Sequence, residues 1–187
     1  MNESELVHEL KNGSEQAFRT VVDTWQHMVY NTILSMVQNT ADAEELTQDV
    51  FVQVFRSIRS FKGDSKLSTW LYRIAIRKAL DHERKKKTKK RLAFLNWLSN
   101  DSVADQVPDF HHPGVALEQK EDAARLFRLI KELPEKQRLV FTLAKAEGLP
   151  VQDIATVLGI STGAAESLLF RARNTLQQLL KKESEKK

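Results

Sequence analysis

The stretch Phe61–Lys87, FKGDSKLSTWLYRIAIRKALDHERKKK, decides how the chain is read. Phe61-Lys62-Gly63-Asp64-Ser65 predicts a loop, because Gly63 has permissive backbone angles and Asp64 and Ser65 favour turns. Ser68 or Thr69 can cap a helix that starts near Trp70. Within that helix Leu71, Ile74 and Ala75 share one face, and Arg73, Arg77 and Arg84 lie away from it. A polar loop, then aromatics, then a dense run of cations suits a strand of nucleic acid. Cations hold phosphates, and aromatics stack on bases that have left the duplex. The same residues also fit a plainer arrangement, with Trp70 and Tyr72 in a core and Lys85–Lys90 as a solvated helix end.

Working outward, the spacing of apolar residues is helical nearly everywhere, and glycine and proline are scarce at 6 and 4. The 187 residues therefore predict an all-α chain with room for two small domains. Upstream, Leu6–Lys11 reads as a short helix closed by Asn12-Gly13. Ser14 caps a long one carrying Val21, Trp25, Val29, Ile33 and Met36. Gln38-Asn39-Thr40 breaks it, and Asp42, Glu44 and Glu45 suit the positive end of a third helix, with Leu46, Val50, Val54 and Ile58 at four-residue steps. With the basic helix this makes a four-helix bundle over residues 1–90. The pattern fails from Thr88, so 91–116 reads as an extended linker, with an apolar cluster at Phe94–Leu98 and turn formers around Pro108 and Pro113. Helical spacing resumes at Leu117 for a second domain, 117–187.

That second domain holds the other informative stretch. Ile154, Ala155 and Leu158 line a short helix, Gly159 allows a sharp turn, Ile160 plugs the corner, and Ser161 caps the next helix. Ala155 is small enough for two helices to cross closely, and Ala165, Leu168, Leu169, Ala172 and Leu176 face inward. This spacing predicts a helix-turn-helix, whose second helix enters the major groove. Glu166, Phe170 and Asn174 line up outside with Ser167 and Arg171 beside them, a face able to touch base edges. A helical hairpin with an exposed polar face would carry the same pattern.

Charge is divided unevenly. Residues 1–60 hold 4 Lys/Arg against 9 Asp/Glu, 61–91 hold 12 against 3, 92–116 hold none against 3, and 117–187 hold 13 against 10. Different segments should meet different partners. Absence of cysteine excludes disulfides and thiolate chemistry. The polar, acidic N-terminus resembles no signal peptide and no apolar run approaches membrane-spanning length, so a cytoplasmic protein is expected. His8, His27, His82, His111 and His112 form no metal spacing, and neither a phosphate-cradling loop nor a nucleophile motif is present. No enzymatic activity and no cofactor are expected.

Both motifs together resemble the extracytoplasmic-function (group 4) sigma factors of the sigma-70 family. The resemblance rests on Asp42–Phe51 (DAEELTQDVF), Phe61–Ser65, Ser68–Ala75 (STWLYRIA), Leu133–Arg138 (LPEKQR), and Ile154-Ala155 through Gly159-Ile160-Ser161 to Phe170–Arg173. It implies a region-2-like bundle that binds core RNA polymerase and melts the −10 element, and a region-4-like domain that binds the −35 element as duplex. By the same resemblance, Phe61, Lys62, Gly63, Asp64, Ser65, Trp70, Arg73, Arg77, Asp81 and Arg84 belong to −10 capture and melting. Ser161, Thr162, Glu166, Ser167, Phe170, Arg171 and Arg173 belong to −35 binding, and Glu44, Glu45, Gln48, Asp49 and Gln53 to polymerase docking. Implied partners are core polymerase, through its beta-prime clamp helices and beta flap, promoter DNA, and an anti-sigma factor, often membrane-bound in the family. Glu166 stands where some members carry Arg, and Pro150 replaces the usual Ser or Thr cap. The alternative reading is a two-domain helix-turn-helix regulator that binds duplex DNA without polymerase.

Overall fold

The computed structural model describes residues 2–97, 117–145 and 147–185. Among these are eight α-helices, one 3-10 turn and no strand. Four helices form the N-terminal group: α1 (Glu3–Lys11), α2 (Glu15–Val37), α3 (Thr40–Ser57) and α4 (Leu67–Trp97), with the 3-10 turn Ile58–Ser60 ahead of the Phe61 loop. The C-terminal group is α5 (Leu117–Glu132), α6 (Glu135–Lys145), α7 (Val151–Leu158) and α8 (Thr162–Ser184). No single helix among the described residues is long and apolar enough to cross a membrane.

Local chemistry sets most helix starts. Asn2 and Glu5 form a reciprocal capping box on α1, at 2.9 and 3.0 Å. Ser14 caps α2 by accepting from the Ala17 N–H at 3.3 Å, and Asn39 caps α3 by accepting from the Asp42 N–H at 2.8 Å. Helix α2 stops at Gln38, which takes a left-handed backbone at φ 53° and is buried. A non-glycine residue there is strained. Its side-chain amide donates to the Phe127 carbonyl of α5 at 2.6 Å, a bond that ties the two groups and offsets the strain.

Helix α4 departs from expectation at both ends. It begins at Leu67, so Ser68 and Thr69 lie inside its first turn and neither caps it. Its leading N–H, that of Leu67, donates to the Glu3 carboxylate at 2.8 Å, so α1 supplies the acceptor across the bundle. At its other end α4 continues through Thr88 to Trp97, past the expected boundary at residue 90. Beyond Trp97 the expected linker, with the end of the Phe94–Leu98 cluster, Pro108, His111, His112 and Pro113, lies outside the described residues.

The N-terminal core is built from the residues that recur at helical spacing: Val21, Val29, Ile33 and Met36 of α2, Val50 and Val54 of α3, and Leu67, Leu71 and Ala75 of α4 are all fully buried. Truncating one of the large members, Leu71→Ala for example, would cost about 2–5 kcal/mol. In the C-terminal group Ile154, Ala155, Ala165, Leu169 and Ala172 close the α7–α8 corner, and Leu129, Ile130, Leu133 and Leu176 join α5 to α8. The two groups are packed on each other, α2 against α6 and α4 against α7, so that buried apolar residues of both form one continuous cluster.

Candidate nucleic-acid interface

The α7–α8 corner is as the spacing predicts. Gly159 turns the chain at φ 66°, a left-handed conformation in which a side chain would be strained. Its N–H and that of Ile160 both donate to the Ala155 carbonyl. Ser161 then caps α8 by accepting from the Ala164 N–H at 3.2 Å. Pro150 precedes α7 without any side-chain cap, and only its carbonyl accepts, from the Ile154 N–H at 3.0 Å. With Ala165, Leu169 and Ala172 turned inward, Ser161, Thr162, Glu166, Ser167, Phe170, Arg171, Arg173 and Asn174 are all exposed. Phe170 keeps 64% of its surface open.

The α4 region is more mixed. Lys62, Gly63 and Asp64 are exposed at the loop tip, Gly63 at φ 81°, and Ser65 is half-buried. Phe61, by contrast, is buried, its ring 5.2 Å from that of Trp70. It anchors the loop, and Trp70 is the aromatic left half-open. Trp70 borders a groove of about 340 Å³ with Gln53, Ser57 and Ser60 on one wall and Ile74, Arg77, Lys78 and Asp81 on the other. Arg77 lies in no ion pair among the described residues. Asp81 and Arg84 are 3.7 Å apart, and Arg84 reaches Glu135 of α6 at 3.9 Å. Arg73 turns from the groove and donates to the Thr156 carbonyl at 2.6 Å and the Val157 carbonyl at 3.3 Å, in the last turn of α7.

Helix α3 divides the expected docking residues between two faces. Glu44, Glu45 and Gln48 are exposed on the outer face. Asp49 leans towards α4, its carboxylate 3.1 Å from the Lys78 ammonium, and Gln53 turns to the Trp70 groove. Asp42 sits between α3 and α4, 3.0 Å from Lys86 and 3.2 Å from His82. Burial pushes its carboxyl upward, but Lys86 and His82 outweigh that and hold it below the usual carboxylate range. Two residues not singled out as site candidates complete the outer face: Val52 is 47% exposed and Phe55 59%, the latter edge-on to Phe18 at 5.4 Å. Val52 falls off the Leu46-Val50-Val54 stripe, but Phe55 follows Phe51 alongside it at a four-residue step, and of those two only Phe51 is buried.

Also unforeseen is Glu147, in the turn between α6 and α7, which is half-buried with one carboxylate oxygen, Oε1, fully enclosed. It accepts from the Tyr72 hydroxyl at 3.2 Å, while its second oxygen has no partner among the described residues. Burial raises the Glu147 carboxyl above its ordinary value, despite the hydroxyls of Tyr72 and Thr32 nearby. The Thr32 hydroxyl proton goes to the Met28 carbonyl at 2.8 Å. Tyr72 is pushed up as well, by burial and then by the Glu147 charge. No local sequence pattern marks this pair, whose members are 75 residues apart.

An exposed aromatic and arginine face on a helix-turn-helix, and a glycine loop beside a half-open tryptophan and a basic helix, are the two parts that comparison with known proteins can place. Residues 21–89 match Sigma-70 region 2, and residues 123–176 match Sigma-70, region 4. The RNA polymerase sigma-H factor of Pseudomonas aeruginosa is 31% identical over 183 residues, 95% of this chain and 93% of that protein. The ECF RNA polymerase sigma-E factor of Escherichia coli K12 is 28% identical over 183 residues, 95% of each. Among solved structures, CnrH in complex with the cytosolic domain of CnrY matches with a TM-score of 0.71 at 23% identity, covering 96% of this chain and 97% of that one. The sigma factor RpoE in complex with the anti-sigma factor NepR from Bartonella quintana matches at 0.62 and 24%, over 88% and 96%. At those identities the two structures establish a shared fold. Similarity along nearly the whole length, with both region matches in order, places the chain in the sigma-70 family, as an extracytoplasmic-function sigma factor that works with RNA polymerase in promoter-directed transcription initiation.

Proposed function

We propose that this sigma factor divides promoter recognition between its two helical groups, one (1–90) opening the −10 element and the other (117–187) reading the −35 element as duplex. The observation that carries the division is the contrast between α8 and the Trp70 groove. The outer face of α8 offers side chains that a major groove can accept: Arg171 suits guanine, Glu166 accepts from the cytosine amino group, and Phe170 touches a thymine methyl. Arg173, Ser161, Thr162 and the N-terminus of α8 hold phosphates around it, with Ser167 beside the bases. The groove at α4 suits an extruded base instead. Trp70 provides a stacking wall, with Arg77 and Asp81 further along the groove facing the upstream bases. The loop Lys62, Gly63, Asp64 and Ser65 closes over the base, and Arg73 and Arg84 reach the strand upstream only by leaving the α7 carbonyls and Glu135.

Glu44, Glu45 and Gln48 then dock the polymerase clamp helices, with Val52 and Phe55 as the apolar centre of that surface, Asp49 at its edge towards α4 and Gln53 on the groove side. Bond making belongs to the polymerase, and this chain contributes recognition and strand separation. CnrH and RpoE were each solved with a partner protein, and we extend an anti-sigma partner to this chain as well. The test is run-off transcription from a pool of host promoter fragments with core polymerase, with and without the chain. Transcripts that require the chain give both promoter elements at once. Tight duplex binding by the chain alone, with no polymerase association, would overturn the division.

A further inference from the structure

Helix α4 carries an aliphatic seam on the side that faces the C-terminal group. Ile76 and Leu80 lie one turn apart, and Arg73, Arg77, Asp81 and Arg84 follow beside them at three- and four-residue steps. Most of the contact between the two groups is one continuous core, but at this seam the surfaces do not close. Leu139 of α6, Leu158 of α7 and Leu168 of α8 stand opposite, across a cavity of about 410 Å³. Ile76 and Leu139 are buried, while Leu80, Leu158 and Leu168 are only half-buried. Among the described residues no aromatic ring lines the space.

The charges on the wall decide what fits. Asp81 and Glu135 both lie against Arg84, at 3.7 and 3.9 Å. Arg73 is engaged with the α7 carbonyls. Arg77 and Lys136 line the same cavity and enter no ion pair among the described residues. Two cations without carboxylates, beside an aliphatic wall, suit a small molecule with an apolar tail and one anionic head. Small-molecule sites of ~300–1,000 Å³ divide their work in this way, between an apolar wall and a few polar groups. A guanidinium takes a carboxylate through two parallel hydrogen bonds. A second negative charge on the ligand would meet Asp81 and Glu135. A wall without rings favours a flexible chain over a flat aromatic. At roughly 30 Å³ per heavy atom, the share of a water molecule in the liquid, the cavity holds about a dozen. We propose that this cavity binds an aliphatic monocarboxylate of about ten carbons, its head held by Arg77 and Lys136 and its tail by Leu80, Leu139, Leu158 and Leu168. The site does not depend on the reading of α4 as a strand-binding surface.

The test titrates the full chain with decanoate, below its micellar concentration, by isothermal calorimetry. Saturable binding of one decanoate per chain is expected. Octanoate should bind about tenfold more weakly, since two buried methylenes are lost. Decanol keeps the tail without the charge and should also bind about tenfold more weakly, having no charge-assisted hydrogen bonds to make. Lys136→Gln removes one cation at an exposed position. It should weaken decanoate about three- to tenfold and leave decanol as it was. Leu168→Phe narrows the cavity and should weaken decanoate and decanol alike. Because Lys136 is exposed, its variant decides the matter even where Leu168→Phe disturbs the fold. No saturable heat at millimolar decanoate would overturn the proposal. Equal binding of decyltrimethylammonium, or a Lys136→Gln chain that takes decanoate as the native one does, would overturn it too, since each means detergent-like adsorption elsewhere on the surface.

Discussion

Helix α8 and helix α4 are both basic helices proposed to meet DNA, yet they stand in opposite conditions. Every assigned residue of α8 and its cap is exposed. On α4, Arg73 is bonded to α7, Arg84 lies between Asp81 and Glu135, and Trp70 leans on a buried Phe61. Reading a duplex needs only a rigid, exposed face, because the bases already present their edges in the groove. Capturing a melted base needs a pocket with walls, and those walls come from neighbouring elements. The surface proposed to open DNA is therefore the one entangled with the rest of the fold.

The largest effect is expected of Trp70→Ala. Loss of one stacking wall should cost about 3 kcal/mol in strand opening, read as permanganate reactivity of −10 thymines in the polymerase complex, with duplex −35 binding unchanged. Normal reactivity in the variant would make Trp70 a packing residue only. On the α8 side, Arg171→Ala should weaken promoter binding by about 2 kcal/mol and relax the base preference at one −35 position. Selection of binding sites from a randomised −35 library checks this, and an unchanged preference would remove Arg171 from the reading face.

The same contrast explains what was legible beforehand. The helix-turn-helix is local: Ala155, Gly159, Ile160, Ser161 and Ala165 lie within one short stretch, and each acts through its own size, backbone or cap. Spacing alone was enough to place them. The caps at Ser14 and the break at Gln38-Asn39 were legible for the same reason. Around α4 the decisive partners are far away in sequence. The Leu67 N–H finds Glu3, so the helix starts before Ser68. Tyr72 finds Glu147, and Arg73 finds the end of α7. Sequence reveals that an arginine is present and on which face of its helix, but not which carbonyl it will reach. Phe61 illustrates the limit within a single motif: the loop was placed correctly, while the buried aromatic and the half-open one could not be told apart.

Helix α3 lies between these cases and gives a smaller effect. Glu45 is exposed and unpaired by any ion bridge among the described residues, whereas Asp49 faces Lys78. Glu45→Lys should weaken polymerase association by about 1 kcal/mol with little change in melting temperature. Asp49→Lys should lower both, since it also places two ammonium groups together between α3 and α4. Equal losses of stability and binding at Glu45 would favour a merely solvated acidic face over a docking surface.

The smallest effect belongs to Asp42, and it separates an internal charge from a docking one. Its carboxylate joins α3 to α4 through Lys86 and His82, and its side chain is 25% exposed. Asp42→Asn should therefore destabilise the bundle by about 0.5–1 kcal/mol, with no specific loss of polymerase binding. The pH dependence has a definite sign. The folded-state carboxyl lies below its unfolded value, so the folded protein binds this proton less readily. The stabilisation is fully present above the ordinary carboxylate range and is lost as pH falls through the depressed folded value. Denaturant melts of the two proteins should differ at neutral pH and converge in acid. A gap that persists in strong acid would mean that the substitution acts through packing at the start of α3 and not through the charge. A gap that widens as pH rises well past neutrality would contradict the assignment, because the carboxylate is fully ionised there already.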